Sequence, residues 1–346
     1  MRSWAKILLL ALAASSVSSA AQDAATHETT LARVRAAGVL RCGIDQEQAE
    51  YTTSDDHGNR EAFDADLCRA VAVAVLGENA QARVTFYPDD ATAIKALNAD
   101  EVEMLPTISA DFTHATGSHL ALTRPVLWDG VGLLLAEGSK LTRARQLSGG
   151  KICFLAETTV EESVRAWFQR EHLDFVPFPF QEEGEMQAAF ATGNCAALAG
   201  DRTRLAQNRA ALARHGRQMR LLPECISKDP LAAAVRDDDL QWAAIVSWVM
   251  EALVQAEESG LTQANVKSAL AHADKDPVLR VLLGKSREVG RALGLDNDWT
   301  VRVVEAVGNY GEIYERDLGA GSPMKLPRGE NNLRTNGGAM EALPFK

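Results

Sequence analysis

Strand-like and helix-like segments alternate through most of the chain, and this order constrains the fold more than any single motif does. The amphipathic pattern of residues 64–76, for example, follows a strand-like segment and ends at Gly77. Predicted strands lie at 39–44, 83–87, 101–105, 131–136, 151–155, 175–178, 195–199 and 231–235, and predicted helices at 30–37, 64–76, 90–97, 159–169, 183–191, 202–212 and 238–259. Repeated strand–helix order indicates an α/β fold with largely parallel sheets. Because a second set begins near Gly130 without a flexible linker, we expect two lobes that share a tight hinge.

The N-terminal segment, residues 1–21, has the features of a secretory signal peptide. Arg2 and Lys6 precede a short apolar run, and the small residues Ala20 and Ala21 offer a cleavage site. No cysteine follows the apolar run directly, so we do not expect a lipid anchor. The formal charge of −11 makes nucleic acid and anionic membrane surfaces unfavourable partners.

The five cysteines are arranged in a way that favours two local disulfide bridges, since an exported chain meets an oxidising compartment. Cys42 lies in the first predicted strand, and Cys68 lies on the next helix, which must pack across that strand. Cys153 and Cys195 hold the same relation in the second set. We therefore predict the bridges Cys42–Cys68 and Cys153–Cys195, each worth roughly 2–4 kcal/mol, with Cys225 left over. No cysteine or histidine group has zinc-ligand spacing, so we expect neither a metal nor a cofactor.

Four segments could converge on a cleft between the two lobes. Their candidate ligand-contacting residues are Tyr51, Thr107, Ser109, Asp111, His114, Glu157, Thr158, Thr159 and Asp201. Tyr51 could cover a ligand, but it could equally be an ordinary loop tyrosine. Hydroxyls at Thr107 and Ser109 could donate to a carboxylate, although such residues are also common in turns.

The other two segments follow predicted strands of the second set. Thr159 and Glu162 fit a capping box, and a helix N-terminus at the end of a strand can hold an anion. The same residues could instead form only a structural cap. Asp201 could accept a hydrogen bond from an ammonium group, or it could pair with Arg202 or Arg204 at the surface.

Several longer stretches resemble bacterial solute-binding proteins of ABC importers for general polar L-amino acids. They are residues 40–44 (LRCGI), 64–72 (DADLCRAVA), 225–231 (CISKDPL), 296–299 (DNDW) and 308–323 (GNYGEIYERDLGAGSP). The resemblance spans essentially the whole chain after the signal. It implies the type II periplasmic-binding-protein fold, with residues 22–128 and 231–346 in one lobe and 129–230 in the other. It also implies a monomer in the periplasm that hands an amino acid or a related amine to an inner-membrane permease.

The same resemblance implies a role for most of the candidate residues. An aromatic near Tyr51 packs on the ligand, Thr107 and Ser109 hold its α-carboxylate together with N–H groups at Thr158 and Thr159, and Asp201 accepts from its α-ammonium group.

This chain departs from the pattern at three of these positions. The family has an arginine that clamps the carboxylate where this chain has His114. It has a hydroxyl residue at Asp111 and a glycine at Glu157. The site therefore loses a permanent cation and gains two acids. We expect weak binding of neutral L-amino acids at neutral pH, and a preference for ligands that carry an extra cationic group.

Two other functions stay open on the sequence. Some cyclohexadienyl dehydratases resemble solute-binding proteins, and a desolvated Glu157 could serve such an enzyme as a general acid. The chain contains no Walker loop, nucleophile elbow, zinc-protease motif or dinucleotide fingerprint. The third reading is a sensory binding protein that signals to a membrane receptor.

Overall fold

The computed structural model describes residues 28–45, 53–54, 60–286 and 289–346. Its strands are β1 (Val39–Asp45), β2 (Thr53–Ser54), β3 (Arg60–Glu61), β4 (Gln81–Tyr87), β5 (Leu105–Ser109), β6 (Leu120–Asp129), β7 (Val131–Leu135), β8 (Lys151–Leu155), β9 (Val176–Phe180), β10 (Ala197–Asp201), β11 (Arg220–Leu221) and β12 (Asp229–Arg236). Its α-helices are α1 (Thr30–Ala37), α2 (Phe63–Leu76), α3 (Asp90–Asn98), α4 (Phe112–Gly117), α5 (Thr159–Arg170), α6 (Glu183–Ala191), α7 (Arg202–Arg214), α8 (Leu240–Glu258), α9 (Val266–Ala269), α10 (Pro277–Leu282), α11 (Trp299–Val307) and α12 (Tyr310–Asp317).

Lobe one, as we use the term, is built on strands from two separate stretches of the chain, one before lobe two and one after it. β1 pairs in parallel with β4. An isolated backbone β-bridge between Cys42 and Met104 also joins β1 to the residue before β5. β12 lies between β5 and β6 and is antiparallel to both. Because β12 comes after all of lobe two, the chain leaves lobe one at the end of β6 and returns at the start of β12.

Lobe two is a five-stranded sheet made from one continuous stretch of chain. The strand order is β11-β7-β10-β8-β9. β8 runs parallel to β9 and β10, and β7 runs antiparallel to β10 and β11. The carboxyl ends of β8 and β10 therefore lie at the same edge of the sheet, where α5 and α7 begin. The residue limits of the two lobes stay a prediction.

The core of lobe one is centred on two apolar helices. Nearly every residue of α2 is buried, and α8 buries one long face that includes Trp242. The Trp242 indole N–H donates to the Glu103 carbonyl oxygen at 2.9 Å, so this ring has a polar partner inside the core. Burial of these faces fixes α2, whose first turn reaches the cleft.

Both predicted disulfides are present. The Cα atoms of Cys42 and Cys68 lie 6.3 Å apart, and those of Cys153 and Cys195 lie 5.8 Å apart. Each bridge joins a residue at or beside a strand to a neighbouring element of the same lobe, and none joins the lobes. Cys225 is free and half-buried.

Two of the predicted strands have different bounds in the structure, and β6 is a strand that the sequence did not predict. The strand expected at 101–105 begins instead at Leu105, so Thr107 and Ser109 lie within β5 rather than after it. The strand expected at 195–199 is β10, which ends at Asp201. The β6 strand was not expected, because its apolar and polar residues do not alternate and Pro125 interrupts it.

The structure has no described helix that is long and apolar enough to cross a membrane. Within the same residues, no group of three or more acidic, histidine or cysteine side chains is arranged to hold a metal ion.

Candidate ligand-binding site

A cavity of about 300 Å³ opens between the lobes. Its walls come from the start of α2, the end of β5, the two strands that pass between the lobes, the first turns of α7 and the segment after α12. The residues that line it are Ala62, Phe63, Asp64, Asp90, Thr107, Ile108, Ser109, Leu127, Asp129, Asp201, Thr203, Arg204, Gln207, Asp229, Leu231, Arg316, Asp317, Leu318, Ser322, Pro323 and Met324.

Three of the residues proposed from the sequence line this cavity: Thr107, Ser109 and Asp201. The Thr107 hydroxyl donates to Asp64 Oδ2 at 2.7 Å, and the Ser109 hydroxyl donates to Asp229 Oδ2 at 3.1 Å. Asp201 is the last residue of β10 and faces the cavity from lobe two. Hydroxyl and carboxylate groups from opposite lobes therefore meet at one pocket.

Asp129, which was not among the residues proposed from the sequence, is a buried carboxylate in the cavity wall. Its Oδ1 accepts from the N–H groups of Gly130 (2.8 Å) and Arg202 (3.1 Å), and its Oδ2 accepts from the Thr203 hydroxyl (2.5 Å). Burial raises the pKa of the Asp129 carboxyl, and hydrogen bonds from Thr203 and Gly130 offset this only in part. Asp129 thus ties the crossing strand to the first turn of α7, next to Asp201.

Asp229 stands opposite Asp129, since β12 and β6 pair these two residues in register. Burial is the main cause of its raised pKa, the charges of Asp129 and Asp111 add to it, and the Ser109 hydrogen bond opposes it. The sequence contained a weak signal for this pair, because both aspartates adjoin turn-forming residues at the ends of apolar segments.

Asp111 and His114 form a pair at the edge of the site rather than in its wall. Asp111 caps α4 and accepts from the His114 N–H at 2.8 Å, and its other oxygen lies 2.9 Å from His114 Nδ1. Burial alone would raise the pKa of the Asp111 carboxyl, but the contacts with His114 hold it below its ordinary value. Both side chains act electrostatically on Asp229. His114 is therefore already engaged by Asp111.

The turn between β8 and α5 holds Glu157, Thr158 and Thr159, and none of the three lines the cavity. Glu157 is exposed and has a φ of +60°, a left-handed conformation that favours glycine. A glycine at this position would adopt the same conformation without a steric cost.

The capping box expected from Thr159 and Glu162 is wrong by one residue. Thr158 is the N-cap and accepts from the Glu161 N–H at 3.4 Å, while its hydroxyl donates to the Leu155 carbonyl at 2.8 Å. Glu161 reaches back to the Glu157 N–H at 3.0 Å. The left-handed conformation of Glu157 turns the chain directly before Thr158. The helix therefore has Thr158 as its N-cap, one residue earlier than the Thr-x-x-Glu pattern suggests.

Tyr51, the predicted aromatic cover, lies outside the residues that the structure describes. Its position relative to the pocket stays a prediction.

Acidic side chains outnumber basic ones among the described residues of the cavity wall. The acids are Asp64, Asp90, Asp129, Asp201, Asp229 and Asp317, and the bases are Arg204 and Arg316. Each base also pairs with an acid outside the wall: Arg204 Nε donates to Glu183 at 3.0 Å, and Arg316 pairs with Asp66. The cavity is therefore a region of negative potential, which favours cationic groups.

Comparison with known proteins gives extended similarities. The chain is 38% identical over 329 residues to the general L-amino acid-binding periplasmic protein AapJ of Rhizobium johnstonii, covering 93% of this chain and 94% of the relative. It is 36% identical over 325 residues to the glutamate/glutamine/aspartate/asparagine-binding protein BztA of Rhodobacter capsulatus, covering 93% and 95%. Among solved structures it is similar to an ABC transporter periplasmic binding protein from Brucella ovis with glutathione bound, with 35% identity, a TM-score of 0.79, and coverage of 92% of this chain and 100% of that chain. No protein-family model matches the chain.

Proposed function

The chain belongs to the family of periplasmic amino-acid-binding proteins of ABC transporters, and on this premise we propose that it captures a small polar, amino-acid-like ligand and delivers it to an inner-membrane permease. The observation that supports this most directly is the cavity in which Thr107 and Ser109 of lobe one face Asp201 of lobe two. It works in the periplasm as a monomer, after cleavage of its signal near Ala20 and Ala21.

Each group of the ligand has a partner of suitable chemistry in this proposal. Asp201 accepts from the α-ammonium group. Thr107 and Ser109 turn their hydroxyls from Asp64 and Asp229 to the ligand carboxylate. The N–H groups at Thr158 and Thr159 complete the carboxylate site when the lobes close, because the N-terminus of the 12-residue α5 carries free N–H donors and a positive dipole end.

The ligand carries a further cationic group. The wall of the cavity has more aspartates than arginines, and both arginines already have carboxylate partners. Burial of a second unpaired anion would be unfavourable there, whereas an ammonium or guanidinium group would find acceptors. The preference for a cationic ligand predicted from the sequence therefore depends on different residues. Glu157 lies outside the cavity wall, whereas Asp64, Asp129 and Asp229 lie in it.

The test is a ligand panel on protein that has been unfolded and refolded to remove bound molecules. L-lysine, L-arginine, L-glutamine, L-glutamate and glutathione are each titrated while the melting temperature is recorded, and calorimetry follows for those that raise it. A ligand at 100 times its Kd should stabilise the fold by about 2.7 kcal/mol. We expect lysine or arginine to raise the melting temperature more than glutamine and glutamate do.

The Asp201→Asn variant supplies the matched comparison, because it keeps the size of the side chain and removes the charge. It should weaken the binding of every ligand with an α-ammonium group. If none of the five compounds shifts the melting temperature of the wild type, amino-acid capture is the wrong function.

The enzyme alternative is less well supported. A carboxyl that acts as a general acid needs a desolvated position close to its substrate, and Glu157 is exposed outside the cavity wall. The relatives named above are binding proteins. We propose that the protein has no catalytic activity of its own. Incubation with prephenate or arogenate should leave both compounds intact.

A further inference from the structure

The segment after α12 supplies one wall of the cavity. We call residues 318–325 the C-terminal wall. Leu318, Ser322, Pro323 and Met324 from this wall line the same cavity as Thr107, Ser109 and Asp201. Residues 308–323 carry part of the family resemblance, and no role in ligand binding was predicted for them.

The C-terminal wall is fixed to lobe one at both of its ends. On one side, α12 packs on α2 and α8, and Arg316 pairs with Asp66 of α2. On the other side, the Leu326 N–H donates to the Leu318 carbonyl at 2.8 Å and closes the loop. Beyond it, the Asn331 side chain bonds both the N–H (2.6 Å) and the carbonyl (2.9 Å) of Trp128 in β6.

One side chain of lobe two holds the last two residues of this wall. Arg209 lies on α7, which packs on β7, β10 and β11, and its Nη2 donates to the carbonyls of Met324 and Lys325, the latter at 3.1 Å. Arg209 is half-buried, and among the described residues no carboxylate pairs with it. Burial lowers the pKa of its guanidinium for that reason.

The backbone of the wall is strained at the point of this contact. Lys325 has a φ of +45°, a left-handed conformation that is costly for a residue with a side chain. Strain of this kind persists where surrounding contacts impose it, and such positions cluster at ligand clamps and switches. Here the strained residue is one of two whose carbonyl groups accept from the half-buried Arg209 guanidinium.

We infer that the C-terminal wall is a ligand-retaining part of the ligand site and that Arg209 is the positioning residue that holds it against lobe two. The contact is a non-covalent connection between the lobes, in addition to the two crossing strands. A wall held in place shields the ligand from water and slows its escape. The inference rests on the proposed function, since it concerns the same cavity.

The test compares Arg209→Met with Arg209→Lys and with Arg214→Met. Methionine keeps an unbranched apolar stem and removes the donors, whereas lysine keeps the charge without the guanidinium fork. Arg214 lies near the end of the same helix, is exposed, and makes no side-chain hydrogen bond or ion pair within the described residues, so it controls for loss of charge on α7. Hydrogen exchange of residues 318–326 is measured on the empty protein, and dissociation rates are measured for L-arginine, L-glutamine and glutathione.

We expect Arg209→Met to raise exchange in the C-terminal wall and to speed dissociation of each bound ligand about tenfold, the order of effect of one lost hydrogen bond to a charged group. Arg209→Lys should recover part of the loss, and Arg214→Met should match the wild type. A purely structural role would lower the melting temperature without changing dissociation.

Two outcomes overturn the inference. The first is unchanged exchange in the wall of Arg209→Met, which would show that Arg209 does not hold it. The second is raised exchange with unchanged dissociation, which would show that the wall does not retain the ligand. If the wild type binds none of the three compounds, the proposed function fails and the ligand role of the wall fails with it; the exchange measurement then still decides whether Arg209 links the lobes.

Discussion

Asp129 and Asp229 face each other across the two antiparallel strands at which the chain passes between the lobes. Each carboxylate also holds a different wall of the cavity. Asp229 accepts from Ser109 of lobe one, and Asp129 accepts from the first turn of α7 in lobe two. The crossing point is therefore both the covalent link between the lobes and a place where two like charges are held close together.

Replacing Asp229 with asparagine should stabilise the empty protein at pH 7 and weaken cationic ligands. The folded state raises the pKa of Asp229, so the folded state binds this proton more tightly than the unfolded chain does. The wild type therefore loses stability as the pH rises above the ordinary aspartate value and through the raised one. Asparagine keeps an acceptor for Ser109 and removes the repulsion from Asp129.

The measurement is a set of thermal melts of the wild type, Asp229→Asn and Asp174→Asn between pH 3.5 and pH 8. Asp174 is exposed and makes no side-chain hydrogen bond or ion pair within the described chain, so it controls for the loss of one surface charge. The gain from Asp229→Asn should be present at pH 7 and shrink toward pH 3.5. If Asp229→Asn is less stable than the wild type at pH 7, the ionised Asp229 carboxylate stabilises the folded protein by more than its burial and repulsion destabilise it.

Replacing Glu157 with glycine should stabilise the protein by relieving its backbone. The left-handed φ of +60° costs a residue with a side chain about 1–2 kcal/mol, and glycine gives back part of that through a more flexible unfolded chain. A net gain of about 0.5–1 kcal/mol remains, close to a 2 °C rise in melting temperature. Glu157→Ala is the control, because it removes the carboxylate and keeps the strain. Equal melting temperatures for the alanine and glycine variants would assign the effect to charge.

Thiol labelling should find one reactive cysteine in the unfolded, unreduced protein. That cysteine is Cys225, since the other four form two bridges. In the folded protein it should react slowly, because burial raises the pKa of its thiol to about 11. Cys225→Ser should abolish the label. A peptide that links Cys42 to Cys153 or Cys195 would contradict the pairing.

The sequence predicted the fold better than it predicted the site. The two-lobed α/β periplasmic-binding-protein fold is confirmed, and several elements lie close to their expected bounds, because long apolar periodicities such as that of α2 report local structure directly. The predicted bounds of the strand at 101–105 were wrong, and the reason lies in local contacts. Glu103 turns its carboxylate to the Arg41 N–H at 2.8 Å, and this irregular stretch delays regular pairing until Leu105.

The features of the cavity that the sequence missed all depend on contacts between distant parts of the chain. The pairing of Asp129 with Asp229 follows from the register of two strands that are separated by all of lobe two. The contact between Arg209 and the carbonyl of Met324 joins residues 115 positions apart. A single sequence carries no periodic signal for such contacts, whereas the hydroxyls of Thr107 and Ser109 were recognisable from their alternate spacing.

Changing His114 to arginine should strengthen the binding of an α-carboxylate, provided that Asp111 is changed as well. In the wild type, Asp111 lies 2.9 Å from the His114 ring and would pair with an arginine in the same way. We therefore expect a small gain from His114→Arg and a larger one from the double variant with Asp111→Ser, up to the 1.5–3 kcal/mol or so of a hydrogen bond between charged groups. Calorimetry with L-glutamine on the wild type, both single variants and the double variant completes the cycle. Tight binding by the wild type, with no change in any variant, would place the carboxylate away from position 114.

Lowering the pH from 7.5 to 5.5 tests whether His114 itself serves the ligand as a cation. A cationic His114 ring would donate to both Asp111 and a ligand carboxylate. Binding of L-glutamine to the wild type should then strengthen as the pH falls across this range. His114→Gln keeps a side chain that can donate hydrogen bonds and cannot become cationic, so it should bind more weakly at pH 5.5 and show little pH dependence. If the wild type and His114→Gln respond to pH in the same way, the histidine takes no part in holding the carboxylate, and the acidic wall of the cavity alone decides which ligands enter.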